Sequence, residues 1–196
     1  MKARTASLRR ITRETKINIK INIDGTGVTT IHSGIPFLDH MLTLLARHSL
    51  TDLSLKASGD LAVDLHHTVE DVGLCLGTTL NKALGKRQGI RRYGSAYAPM
   101  DDALSRAVVD LGGRPFLVYE VANKRRRILD FDLSLLGEFL QAFSIQTRMN
   151  LHIAQLYGRD PHHAYESMFK ALALALRSAV AYDRKEKGVP SSKGLL

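Results

Sequence analysis

The sequence contains no tryptophan and a single cysteine, Cys75. A lone cysteine has no partner within the chain, so a disulfide framework is excluded. Aromatic residues make up only 6% of the chain, a poor endowment for a nucleic-acid platform built on base stacking. No uninterrupted apolar run approaches the ~18 residues of a membrane span. The longest covers residues 171–176 and stops at Arg177. The opening MKARTASLRR lacks an apolar centre, so it does not read as a secretory signal. The acidic Glu14 and the strand pattern that follows argue against a transit peptide. The expected location is the reducing cytoplasm, with no membrane partner. Acidic residues are in deficit, 19 against 28 Lys+Arg, for a net charge of +9. That excess suits nucleic acid, and it equally suits small anionic substrates such as phosphates. The 44% of hydrophobic residues excludes wholesale disorder.

Periodicity gives the elements. Residues 16–23, KINIKINI, alternate strictly, with Ile17, Ile19, Ile21 and Ile23 on one side, as in a half-buried strand. The run Asp24-Gly25-Thr26-Gly27 predicts a turn, and residues 28–31 the returning strand of a hairpin. Helical spacing covers 37–47, 66–84 (with Gly85 as stop), 133–148 and 162–182; alternation covers 53–57, 104–110, 116–121 and 150–156. The basic, glycine-containing stretch 89–97 predicts a loop. Strands and helices mix without strict alternation, which favours an α+β class over a doubly wound parallel sheet.

An internal duplication organises the chain. Residues 64–71, DLHHTVED, resemble residues 160–167, DPHHAYES, and His66 and His162 stand 96 residues apart (162 − 66). A helix and a short strand precede each motif and a long helix follows it. Shifting the earlier helix by 98 residues sets His40 opposite Glu138. The halves cover 1–92 and 93–189, with a tail at 190–196. Each HHxxE motif opens a helix, so the first His and the Glu, four apart, share one face. The adjacent histidines diverge by about a hundred degrees around the axis. Histidine and carboxylate together suit first-row metals. Two such motifs at matching places in a duplication point to two pseudo-equivalent metal sites rather than to packed or solvated histidines. Asp160 can cap the second of these helices.

The sequence resembles the imidazoleglycerol-phosphate dehydratase family over nearly its whole length. The matching segments are 34–42 (GIPFLDHML), 66–71 (HHTVED), 99–104 (PMDDAL), 109–115 (VDLGGRP), 151–153 (LHI), the HHxxE at 162–166, 169–171 (FKA) and 190–194 (PSSKG). The resemblance implies an α+β fold of two fused pseudo-symmetric half-units, each a mostly antiparallel sheet packed with two helices, like domain 2 of ribosomal protein S5. It implies a homo-oligomer of about 24 subunits with active sites between subunits, and two Mn2+ per active site. One ion would be held by His66, Glu70, His163 and Glu138, the other by His40, His67, His162 and Glu166. Some members carry His at position 138, and a carboxylate suits Mn2+ at least as well.

The implied reaction is the dehydration of D-erythro-imidazole glycerol phosphate to imidazole acetol phosphate in histidine biosynthesis. The carbon that loses its proton has an imidazole rather than a carbonyl to stabilise charge. Holding the ring as a dimanganese-bound imidazolate supplies that stabilisation, worth several kcal/mol. Glu14, in Thr12-Arg13-Glu14-Thr15, matches the family's T-x-E-T motif and is the main acid–base candidate, also touching substrate. Glu70 and Glu166 can double as ligands and proton carriers. His48 is expected on substrate polar groups, and Arg92, Arg114, Ser192 and Lys193 on the phosphate. Asp102 takes a substrate-contact or supporting role, His152 is site or structure, and His32 is incidental. The basic run 124–127 reads as a solvated loop. The alternatives are a di-metal hydrolase of a small phosphorylated substrate and a basic nucleic-acid-binding module.

Overall fold

The computed structural model describes residues 3–121 and 127–191. Its first half runs β1 (Thr5–Ile11), β2 (Thr15–Asn22), β3 (Thr29–His32), α1 (Pro36–Ser49), β4 (Asp52–Gly59) and α2 (His66–Leu84). The second runs β5 (Tyr93–Met100), β6 (Ala103–Asp110), β7 (Phe116–Glu120), the short pair β8 (Arg127–Ile128) and β9 (Phe131–Asp132), α3 (Leu135–Thr147), β10 (Asn150–Tyr157) and α4 (Pro161–Val180). The two four-stranded sheets have orders β1-β2-β4-β3 and β5-β6-β10-β7. In each, two antiparallel pairings are followed by one parallel pairing at the edge. The fold is therefore α+β in two matching half-units. Among the described residues, the β8–β9 hairpin has no counterpart in the first half.

The alternation of β2 sends Ile17, Ile19 and Ile21 inward, and Ile23 is buried just beyond the strand. Each fully buried aliphatic side chain contributes roughly 1.5–3 kcal/mol. Helix α2 covers β1, β2 and β4 while α4 covers β5, β6 and β10. The helices also pair across the halves, α1 with α4 and α2 with α3. One apolar core draws on both halves, and within it Phe139 stacks between Phe143 and Phe169 at 5.9 and 6.0 Å. Buried Arg87 donates to the carbonyls of Leu111, Thr147 and Arg148, closing the C-terminal end of α3.

Two local expectations are corrected and one strand is added. Residues 28–31 do not return beside β2. They form β3, parallel to β4 at the far edge. The cause is Asp52, whose Oδ1 accepts from the backbone N–H of Thr26, Gly27 and Val28 at 2.8, 3.1 and 3.0 Å and draws the chain across the end of β4. Gly25 permits this approach, since a Cβ there would lie 2.3 Å from the Asp52 carboxyl carbon. Residues 93–97 are strand rather than loop, because β5 gains a full register on β6. Residues 5–11 form an edge strand that the pattern of the N-terminus does not announce.

Candidate metal centre

An aspartate caps one HHxxE helix and stands just before the other. Asp160 Oδ1 accepts from the backbone N–H of His162 and His163 at 2.7 and 3.2 Å, and Pro161 fills the first helical position. Asp64 Oδ1 accepts from the N–H of His66 at 2.7 Å. The capped first turn of α4 fixes His162 and Glu166 on one face. Helix α1 lies alongside and adds His40. His40 Nε2 and His162 Nε2 lie 2.8 and 3.1 Å from the same oxygen, Glu166 Oε1. One turn on, Lys170 Nζ donates to Glu166 Oε2 at 2.8 Å. Burial of Glu166 opposes its ionisation, but the hydrogen bonds from Lys170 and His40 outweigh it and hold the carboxyl at about 2. Glu166 is thus an anion facing two imidazole nitrogens, with all three ligating atoms within 4.8 Å of one another. This mixed nitrogen and oxygen donor set fits a divalent first-row cation.

The pseudo-equivalent set is looser. His66 Nε2 lies 3.7 Å from Glu70 Oε2. Glu138 is exposed on the first turn of α3. It holds the place on α3 that His40 holds on α1, since each precedes by ten residues (50 − 40; 148 − 138) a left-handed capping residue, Leu50 or Arg148. Among the described residues, only the His40–His162–Glu166 set is drawn together tightly enough to grip an ion.

His67 and His163 point elsewhere. The ring of His67 is at 87° to that of His66, and the ring of His163 at 90° to that of His162, so each helix presents its two imidazoles in different directions. His67 Nδ1 donates to Asp60 Oδ2 at 3.0 Å, and His163 Nδ1 to Asp102 Oδ1 at 2.8 Å. These bonds raise the pKa of both histidines. The His163 bond, with backbone N–H bonds from Arg159 and Asp160, holds the Asp102 carboxyl well below the usual carboxylate range.

Glu14 occupies the β1–β2 turn. Its backbone N–H, and that of Thr15, donate to Thr12 Oγ1. Thr15 Oγ1 donates in turn to Asp71 Oδ2 at 2.5 Å, and Arg10 pairs with the same oxygen. The turn is therefore pinned to α2 one residue beyond Glu70. The Glu14 carboxylate itself is exposed, with no side-chain partner among the described residues.

The remaining candidates fall in two places. His48, in the last turn of α1, is near enough to Lys170 and Glu166 to sense both charges; partial desolvation and then the Lys170 ammonium lower its pKa. His152 is exposed on the outer face of β10, and His32 at the end of β3. Arg92 lies at the other end of β5. Its Nε and Nη2 grip Asp110 at 2.7 and 3.0 Å, and its Nη1 donates to the Pro190 carbonyl at 2.7 Å. The exposed Arg114 sits in the β6–β7 loop at that same end. Ser192 and Lys193 lie outside the described residues, as does 124–126 of the basic run. Met100, whose Sδ contacts Lys170 Nζ at 3.0 Å, ends β5 beside the ligands. The eight residues of β5, at ~3.3 Å each, put about 25 Å between the two ends. A single chain does not bring the cationic end to the ligand end.

Sequence reasoning missed Lys170, Asp60 and Asp71. Lys170 carried a signal, standing four residues after Glu166 on the same face. Asp71 follows Glu70 directly, but only the fold reveals that it holds the Glu14 turn. Asp60 carried none, because a connection between elements sets its contact. Beside the ligands, Phe37, Leu65, Leu129 and Phe131 line an apolar cleft of about 470 Å³ that reaches His40 and His162. No helix among the described residues is long and apolar enough to cross a membrane.

A family model described as imidazoleglycerol-phosphate dehydratase matches residues 33–176. The imidazoleglycerol-phosphate dehydratase of an Exiguobacterium species is 53% identical over 97% of this chain and 97% of its own length. That of Pelobacter propionicus is 52% identical over 98% and 99%. Among solved structures, the imidazoleglycerol-phosphate dehydratase of Staphylococcus aureus superposes with a TM-score of 0.83 at 35% identity, covering 91% of this chain and 99% of its own. The Pyrococcus furiosus protein does so with a TM-score of 0.83 at 36% identity, covering 96% and 100%.

Proposed function

The chain belongs to the imidazoleglycerol-phosphate dehydratase family, carbon–oxygen lyases of histidine biosynthesis, and on that premise we propose that it dehydrates D-erythro-imidazole glycerol phosphate at a pair of divalent cations, Mn2+, shared between subunits. The observation that carries this is the convergence of His40, His162 and Glu166 on one point. His67 would complete that set, and His163 would complete the set of His66, Glu70 and Glu138. Neither His67 nor His163 joins its set within one chain, which supports ligands exchanged between copies in a large homo-oligomer, about 24 subunits in the family pattern.

When bound, the cations supply Lewis-acid stabilisation of charge developing on the substrate's imidazole ring. The chain's own residues do the rest. Glu166 is held ionised by Lys170 and His40, so it enters the cycle as an acceptor. Glu14 has a fixed backbone and a carboxylate without a hydrogen-bond partner among the described residues, near enough to His67 for its charge to act there, the properties of a group that takes a proton from carbon and passes it on. His48 and Lys170 present hydrogen-bond donors beside the ligands. Arg92, Arg114, Ser192 and Lys193 are assigned to the phosphate. Arg92 already bridges Asp110 and Pro190, so it would order the tail segment against the anion as well as bind it. The 25 Å separation along β5 then makes the phosphate site of one subunit the complement of another's ligand set.

The test is to incubate the Mn2+-loaded protein with imidazole glycerol phosphate. The expected product is the ketone imidazole acetol phosphate, with the phosphate ester intact. Release of inorganic phosphate without ketone would point instead to a di-metal hydrolase.

A further inference from the structure

The duplication places the β1–β2 and β5–β6 turns in the same frame. Asn22 pairs with Asp52 as Asp110 pairs with Asn150, and Thr15 and Ala103 each stand seven residues before those (22 − 15; 110 − 103), at the start of β2 and of β6. Glu14 and Asp102, each just before its strand, are therefore the same position in two copies. Their surroundings have diverged. Asp102 is fully engaged: Oδ1 accepts from His163 Nδ1 at 2.8 Å, and Oδ2 from the backbone N–H of Arg159 and Asp160 at 2.6 and 3.2 Å. Glu14 accepts from no side chain among the described residues.

The difference originates in the connection to the HHxxE helix. Six residues, 60–65, separate Gly59 from His66, whereas three, 159–161, separate Gly158 from His162. The longer connection brings in Asp60, which takes the Nδ1 hydrogen of His67 at 3.0 Å. The other oxygen, Asp60 Oδ1, is buried without a hydrogen-bond partner. A carboxylate kept at that desolvation cost is not an incidental surface pair. Because an ionised carboxylate can only accept, each Nδ1 must carry the hydrogen, so the lone pair of the neutral ring is on Nε2. His67 Nε2 has no partner among the described residues, and His163 Nε2 faces only the exposed Asp101 at 3.6 Å.

We infer that Asp60 and Asp102 are positioning residues that fix His67 and His163 in the tautomer with Nε2 offered to a metal, and that Asp60, by relieving the β1–β2 turn of this task, leaves Glu14, unlike its counterpart Asp102, available for proton transfer. The duplication has thus assigned two duties to two copies of one turn. This rests on the two-cation reading above.

The experiment measures Mn2+ affinity of the full-length protein by chelator competition, and turnover as a function of Mn2+. Loss of a carboxylate that orients a ligating histidine lowers metal affinity about 10–100-fold. D60A and D102A are each expected to show that loss, with D102A regaining turnover at saturating Mn2+. E14Q is expected to bind Mn2+ as wild type does and to lose turnover at every Mn2+ concentration. D60N and D102N, which keep size and one acceptor oxygen, decide the matter with a smaller loss if an alanine variant does not fold. Wild-type Mn2+ affinity in the Asp60 and Asp102 variants, alongside weakened binding in H67A and H163A, would overturn the inference while leaving the metal reading intact. So would an E14Q variant that loses as much affinity as D60A. Unaltered binding in H67A and H163A would instead remove the two-cation reading itself.

Discussion

Asp52 shows how one side chain shapes the frame of this protein. Its carboxylate gathers three backbone N–H groups and an amide from Asn22, and the bonds from Thr26 and then Val28 lower its pKa. A carboxylate with a lowered folded-state pKa contributes stability that is present above its unfolded value, near 3.9, and is lost as pH falls through the folded value. D52N is expected to destabilise the protein by about 1 kcal/mol at neutral pH, since water replaces part of the exposed bonds. It should also flatten the loss of stability below pH 4, as followed by urea unfolding across that range. At this scale the candidate ligands of the two HHxxE motifs were legible, because HHxxE carries its chemistry in fixed spacing. Asp60 and Asp71 were not, because each meets its partner, His67 or Thr15, through tertiary contact.

Among the elements, the most extensive contact is between α2 and α3. They run in the same direction, with Gly73 against Phe139 and Gly77 against Phe143. A Cβ on Gly77 would lie 2.6 Å from the Phe143 carbonyl oxygen and 2.8 Å from the Gln146 Cβ. Backbone cannot yield as a side-chain tip does, so G77A should push α3 away. The expected cost is about 1–3 kcal/mol, net of the better helix propensity of alanine, measured by chemical denaturation. Strands and helices buried by strong periodicity, β2, α1, α2 and α4, were readable along the chain. The edge strands β1 and β5 were not, because their burial is slight and their partners define them. The parallel placement of β3 was also hidden, since it depends on Asp52 across a gap of more than twenty residues.

At the scale of the whole molecule, two clusters of candidate site residues stand at opposite ends of β5. One holds the candidate ligands and Lys170; the other holds Arg92, Arg114 and the entry to the tail. In the proposed function, part of the net charge of +9 has a local use at the second cluster, on one phosphate. Removing residues 190–196 is expected to raise KM for the phosphorylated substrate several-fold while leaving metal content unchanged. An unaltered KM in steady-state kinetics would show that the tail takes no part in phosphate binding.

In the proposed function, the duplicated motifs form one two-cation site from shared ligands. Elemental analysis of Mn2+ in the purified, Mn2+-equilibrated protein and in its H67A and H162A variants tests this most directly. Two ions per chain are predicted for the wild type, and one or fewer for each variant, with weakened assembly on a sizing column. Metal content unchanged by either substitution would contradict it.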